Sequence, residues 1–321
     1  MSTRHAAAPA FPQKLAGKLG WKLAAFCLAL LVLAPPAPAQ GLGGLTGSGE
    51  GSLDIRAEDG IEWRRDEGVY IARGNAEAVR GDLSVNADRL IARYRDSAGG
   101  GSEIHEIEAV GQVRIATPTE TAHGKRALFD LDRDVVVLTG GDLRLVTGDE
   151  TITARDSLEY WAGRRLAVAR GNAVARRGER RLAADVLTAH FVSEGAGEGA
   201  GQNTDGVERL EAFGSVEIAS PTSVARADKG IYTPDTQLMT LSGDVRLTRG
   251  SNQLNGGYAE INLGTGVSRL LGAPPNADAK ARVQGLLSPR ERDLSAPGGE
   301  RDLTAPAMDN ANDGEGDEGG S

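Results

Sequence analysis

A glycine, a small polar residue and then an apolar–any–apolar triplet recur together six times along this chain. The phrase stands at Gly74-Asn75-Ala76-Glu77-Ala78, Gly111-Gln112-Val113-Arg114-Ile115 and Gly141-Asp142-Leu143-Arg144-Leu145. It returns at Gly171-Asn172-Ala173-Val174-Ala175, Gly214-Ser215-Val216-Glu217-Ile218 and Gly243-Asp244-Val245-Arg246-Leu247. The glycines lie 37, 30, 30, 43 and 29 residues apart. Removing the seven-residue run 97–103 returns the first interval to 30, and removing the thirteen-residue run 194–206 does the same for the fourth. A longer echo supports the period: the stretch from Glu108 to Thr119 recurs from Glu211 to Thr222 with the same spacing of Gly, apolar and Thr/Ser-Pro positions. A fixed period in this range marks a repeat architecture, here about six units of about thirty residues.

Each unit reads as strand. Apolar residues alternate with charged ones at Val113/Ile115, Leu143/Leu145 and Val245/Leu247, the period of a half-buried strand. The Gly and its Asn, Asp or Ser neighbour supply turns or bulges. A second phrase carries an Asp step at Ala87-Asp88, Arg155-Asp156, Ala184-Asp185 and Ala227-Asp228, and we read it as a bend where the sheet turns a corner. Between Gln40 and Gly272 no long stretch keeps a helical period. The sequence thus predicts an all-β, elongated stack of units that bury one another's apolar faces. Its inward set is Ala76, Ala78, Val113, Ile115, Leu143, Leu145, Ala173, Ala175, Val216, Ile218, Val245 and Leu247. Periodicity alone leaves two readings of that set open: an ordinary packed core, or the wall of a ligand groove. Aromatic residues make up 4% of the chain and several inward positions are Ala, which favours an under-filled interior.

The amino terminus carries Arg4, Lys14, Lys18 and Lys22 without an acidic residue, then an apolar run from Leu23 to Leu33, then Pro35, Pro36 and a small-x-small site ending at Ala39. This predicts a secretory signal peptide over residues 1–39, cleaved near Ala39; an uncleaved anchor is the alternative. Cys27, the one cysteine, lies in the apolar run, so cleavage leaves no thiol for disulfides, thiolate metal sites or cysteine nucleophiles. A Gly-rich linker follows over 40–51, then the repeat region over 52–272. Beyond it we expect a short helix from Ala277 to Leu287 and an acidic disordered tail, residues 273–321 in all. The formal charge of −9, without a basic block, offers no footprint for nucleic acid or an anionic membrane surface.

No catalytic motif stands out. His105, His123 and His190 have no ligand-spaced partner, and neither a Gly-x-Ser-x-Gly elbow nor a phosphate-binding loop is present. Asp130, Asp132 and Asp134 would share one face of an alternating strand and could hold Ca²⁺, or could simply solvate a strand edge. The arginine pairs Arg64-Arg65, Arg164-Arg165, Arg176-Arg177 and Arg180-Arg181 could meet phosphates at a groove mouth, or be ordinary surface charge. No cofactor and no metal are expected.

The recurring Gly-Asn/Asp-Ala/Val phrases, each followed by an Ala-Asp step, resemble the OstA-like (LptA) family of periplasmic lipopolysaccharide-transport bridge proteins. The clearest stretch runs from Gly68-Val69-Tyr70 through Arg73-Gly74-Asn75-Ala76 and Gly81-Asp82-Leu83 to Asn86-Ala87-Asp88-Arg89-Leu90. The resemblance covers Ser52 to Gly272 as two consecutive segments. It implies an antiparallel β-jellyroll open as a V-shaped groove, in which the inward set named above becomes a lipid-binding wall for the acyl chains of lipopolysaccharide. It further implies a periplasmic bridge without enzymatic activity, stacked end to end as a homo-oligomer. Its partners would be inner-membrane and outer-membrane components of the lipopolysaccharide-transport machinery. The chain departs from simple members in its Gly-rich insertions, acidic tail and longer repeat region. The alternatives are a membrane-anchored relative that keeps the segment before Ala39, and an exported parallel β-helix enzyme acting on polysaccharide.

Overall fold

Five of the six recurring glycines lie inside strands, where they kink them. The computed structural model describes residues 53–96, 101–192, 206–275, 277 and 281–288. The signal segment, the linker, positions 97–100 and 193–205 of the insertions and the acidic tail lie outside the described residues. The chain divides into Met1–Leu287, which holds every described strand, and Ser288–Ser321, of which Ser288 alone is described.

Strands β1 (Asp54–Arg56) and β2 (Gly60–Arg64) share one edge of β3 (Val69–Arg80). β3 pairs with β4 (Leu83–Asp96), β4 with β5 (Ser102–Ala116), and β5 with β6 (Glu120–Asp130). The far edge of β6 meets two short strands, β7 (Val135–Thr139) and β8 (Leu143–Thr147). These pair with β10 (Ser157–Trp161) and β9 (Glu150–Ala154), and both of those with β11 (Leu166–Arg177). Then β12 (Arg180–Phe191), β13 (Val207–Ser220), β14 (Ser223–Thr233), β15 (Leu238–Arg249) and β16 (Asn252–Asn262) follow in chain order. β17 (Val267–Leu271) and β18 (Gln284–Leu286) share the last edge. Four positions are thus split between two short strands, so the eighteen strands form fourteen successive rungs. Every described pairing is antiparallel, which excludes the parallel β-helix alternative. One 3₁₀ turn, Ala162–Arg164, is the helical element among the described residues.

At five of the six phrases two consecutive residues oppose one on the neighbouring strand. Gly74-Asn75 stands against Asp88 between the pairs Arg73↔Arg89 and Ala76↔Ala87. The same shift occurs at Gly171-Asn172 against Asp185 and at Gly214-Ser215 against Asp228. Such a bulge bends its strand, and in each of these three both bulged residues have positive φ, 76° and 45° in the first. A glycine is required at the first position. A Cβ on Gly111, Gly171, Gly214 or Gly243 would overlap the carboxylate of Asp88, Asp156, Asp185 or Asp228, and one on Gly74 would overlap Asp59. The Asp steps therefore mark the corner, as the sequence suggested. The bulges fall on one line across the rungs, so the sheet folds along it into two facing halves. The third unit differs. Gly140, Gly141 and Asp142 insert an extra residue, Lys125 takes the Asp position, and the strand breaks into β7 and β8.

Two expectations are corrected. The stretch expected as a helix, Ala277 to Leu287, contains strand β18, whose Gln284 to Leu286 pair with Asn255 to Gln253 on the open edge of β16. Asp130, Asp132 and Asp134 do not share a strand face. β6 ends at Asp130, which accepts the Arg133 N–H at 3.0 Å, Asp132 binds Arg95 through both oxygens at 2.7 and 2.8 Å, and Asp134 sits at φ 50° in the turn.

The glycine–carboxylate contact makes a prediction. Gly178→Ala, at φ 56° in open space, should cost about 1–2 kcal/mol from left-handed backbone alone. Gly214→Ala should cost about 2 kcal/mol beyond that through overpacking. Asp185→Ala added to Gly214→Ala should return most of the excess, read by urea unfolding.

Candidate functional site

Because paired residues of an antiparallel sheet share a face, the register traces continuous rows across the rungs. Next to the bend on one half runs Ala76, Ala87, Val113, Gly124, Leu143, Ala154, Ala173, Ala184, Val216, Ala227, Val245 and Gly256. One step further out lies Ala78, Val85, Ile115, Ala122, Leu145, Ile152, Ala175, Leu182, Ile218, Ala225, Leu247 and Leu254. All the residues assigned inward from sequence fall on these two rows. Ten of them are buried, Ala76, Ile115 and Ala173 completely, while Leu145 and Leu247 are half-buried.

The second half of the sheet escaped the sequence reading. Its inner rows include Ala72–Leu90–Ala109–Ala127–Leu138 and Tyr70–Ala92–Ile107–Phe129–Val136. A signal for them existed: each Gly is also preceded by an apolar–any–apolar triplet, as in Tyr70-Ile71-Ala72, Ile107-Glu108-Ala109 and Met239-Thr240-Leu241. The two halves meet near the bend, where Gly124 leaves room for Leu138 and Leu143.

The filling is uneven. One buried cluster spans Ala72 to Ala173 and contains Leu90, Ile115 and Phe129; a second spans Ala184 to Ile261 and contains Val216, Met239 and Leu241. Between them, on rungs seven to nine, the inner positions away from the bend are Leu158, Tyr160, Ile152, Ala167, Leu182, Leu187 and Ala189, which are half-buried, and Ala169 and Ala175, which are buried. Alanines fill the row beside the bend there, at Ala154, Ala173 and Ala184. Burial is deepest within the two clusters, and on rungs seven to nine Leu158, Ile152, Leu182 and Leu187 pack against them only partly buried.

The outermost inner row, along one lip, is polar. It reads Arg80, Leu83, Thr117, Glu120, Thr147 and Glu150, then Arg177, Arg180, Ser220, Ser223, Arg249 and Asn252. Burial raises the carboxyls of Glu120 and Glu150 above the ordinary range; for Glu150 the Arg177 charge opposes this. Burial also raises Tyr160 on the facing half, and the Glu120 charge adds to that rise. Alternation splits the arginine pairs. Arg177 and Arg180 face inward, while Arg176 and Arg181 face out, the latter binding Glu217 at 2.7 Å. Arg65 lies 4.6 Å over the Trp63 ring, Arg164 lies 5.0 Å over the Trp161 ring, Arg64 binds Glu62 at 2.7 Å, and Arg165 donates to the Val192 carbonyl at 2.7 Å. Among the described residues no group of three His, Cys, Asp or Glu could hold a metal.

The interior is exposed at its first end. Ile61 and Trp63 continue the inner rows onto β2 at 51% and 52% exposure. Trp63 stacks on Tyr70 at 5.7 Å and donates its indole N–H to the Tyr94 hydroxyl at 2.8 Å. At the far end Val267 and Leu286 are exposed on the outer face.

Residues 54–160 and 151–267 each match the family described as LptA/(LptD N-terminal domain) LPS transport protein. The chain belongs to that family, with two consecutive segments that meet at β9 and β10, and its role lies in lipopolysaccharide transport. This is a family of transport proteins. Comparison with curated proteins gave no match. Among solved structures, the chain is similar to LptH from Pseudomonas aeruginosa, described as the LptA homologous periplasmic component of the conserved lipopolysaccharide transport device. The identity is 16%, over 44% of this chain and 95% of that one, with a TM-score of 0.35.

The lip carboxyls predict a pH dependence. A carboxyl whose folded pKa lies above its unfolded value favours the fold at low pH, and that contribution is lost as pH rises through the folded value. Glu120→Gln with Glu150→Gln should therefore unfold at higher denaturant than the parent at pH 7.5, with the advantage shrinking toward pH 4.

Proposed function

We propose that the chain carries lipopolysaccharide across the periplasm, with the acyl chains held between the two half-sheets. The observation that carries this reading is the continuous apolar lining of both half-sheets, which runs across the rungs and keeps Leu158, Leu182 and Leu187 only half-buried on rungs seven to nine. Fatty chains would lie along that lining, beside these three side chains. At about 0.8 kcal/mol per buried methylene, several acyl chains left in water would cost tens of kcal/mol. An apolar channel removes that barrier by burial alone. Chains that travel further along the first rungs must part the two halves and expose Leu90, Ile115 and Phe129.

The exposed inner-row residues at one end, Ile61 and Trp63 on β2, support a continuous path into a neighbouring protomer. They equally suit sheet ends of inner-membrane and outer-membrane components, since unpaired edge strands accept further strands. The residues assigned inward from sequence, Ala76 through Leu247, would line this path, the half-buried ones first.

A photo-crosslinking residue at Leu182 or Leu187 should capture lipopolysaccharide in cells, while the same residue at Arg114 or Arg176, on the outer face, should capture little. Equal labelling on both faces would refute the assignment. Mass spectrometry of the purified mature protein should find co-purifying lipopolysaccharide.

A further inference from the structure

The first and last rungs are each completed by a short strand on the same half of the sheet, and the two strands are held differently. At the first end β1 lays Ile55 opposite Ala78, on the second inner row from the bend. Leu53, Ile55 and Ala57 pack against the first buried cluster, so apolar contact fixes β1 in place. At the last end the same row passes from Leu254 to Gly285 on β18. The inward position there carries no side chain. Val283, Leu286 and Leu287 stay 45%, 66% and 68% exposed, outside the second cluster. The connection differs as well. In five units a glycine and one further residue carry the strand through the bend, whereas residues 272–283, Pro274 and Pro275 among them, separate β17 from β18. Proline has no N–H to give a ladder, so the chain quits the last rung after β17 and returns to it as β18. A segment with few buried apolar contacts opens readily, and its departure bares the β16 edge at Gln253, Leu254 and Asn255.

We propose that β18 is a displaceable cover: it closes the β16 edge in the free protein and yields it to an extended strand of a neighbouring protein that carries an apolar residue at the position of Gly285. Such a strand would repeat the antiparallel pairing and add a contact with Leu254 that glycine lacks. A Cβ at position 285 would lie 3.1 Å from a Leu254 methyl, the mobile end of a flexible side chain. Uncovered edges invite indiscriminate pairing, and a cover that only a better-fitting strand removes selects among partners that bind by strand addition. The inference rests on the reading above that sheet ends join neighbouring proteins, and adds to it how this end stays closed until one arrives.

The test uses the mature chain and a fluorescent peptide of residues 281–290 carrying Gly285→Leu, with its scrambled form as control. A chain ending at Pro275, which lacks the cover, should bind the peptide on the order of tenfold or more tightly than the parent, because a site open for a fraction of the time has its affinity reduced by that fraction. Gly285→Leu in the full chain supplies the missing contact to the cover itself and should weaken binding relative to the parent. From Gln40 onward the chain has no cysteine, so Gln284→Cys/Asn255→Cys, opposite each other on the outer face, can be joined by a short thiol-bridging reagent. Binding should vanish in the joined form and match the parent's in the unjoined one, a comparison that does not depend on how the truncated chain folds. Equal affinities of parent, truncated chain and joined form would overturn the cover, as would equal binding of the scrambled peptide. Failure of even the truncated chain to bind would show that this edge accepts no strand and overturn it too. Co-purifying lipopolysaccharide, which none of these changes should remove, decides the carrier reading separately.

Discussion

The contact between a glycine and the carboxylate of the neighbouring strand governs the rest of this molecule. At Gly111 over Asp88, Gly171 over Asp156, Gly214 over Asp185 and Gly243 over Asp228, backbone and carboxylate occupy the space a Cβ would need. The second bulged residue, an Asn, Gln, Ser or Asp, also adopts positive φ, and its side chain can reach the same carboxylate. Gln112 donates to Asp88 at 3.3 Å. Because bulges recur in line, a sheet that would otherwise extend as one twisted ribbon doubles over. Both halves then point an apolar face at each other. Interior, lips and ends all follow from that fold line.

The residues flanking the fold line set how tightly the halves close. Large side chains such as Phe129, Leu90 and Met239 fill the interior away from the bend, whereas the row beside the bend is built largely of small buried residues such as Ala76, Ala154, Ala173 and Ala184. The outer faces contribute little to this choice. They carry cross-strand ion pairs such as Arg126–Glu108 at 2.8 Å and Arg226–Glu217 at 2.9 Å, mostly exposed and individually weak. They keep the outside solvated and the register fixed, and leave the inside to decide what is bound.

Much of this was readable beforehand, because the repeat puts the same residue types at the same rung of every unit. Ala76, Val113 and Val216 could be assigned inward from alternation, and Asp88 and Asp185 from their place in the second phrase. Other features depended on pairing. The run of Arg177, Arg180, Ser220, Ser223, Arg249 and Asn252 is scattered over 76 positions and becomes a row only through the register. Ala277 to Leu287 was misjudged because its Ala, Lys, Arg and Leu content favours helix locally, while the unpaired edge of β16 offered Gln284 to Leu286 hydrogen-bond partners that local preference does not count. The triplets preceding each Gly were visible but lacked meaning until the strand was seen to run through the kink.

Each rung pairs only with its immediate chain neighbours, from β1 to β18. A polypeptide delivered end first through a narrow opening could therefore zip up progressively, every new stretch docking on the one just completed. No segment waits, exposed and sticky, for a distant mate still to be made. For a molecule whose inner surface is attractive to grease, that order of assembly shortens the time during which the wrong neighbour can be captured.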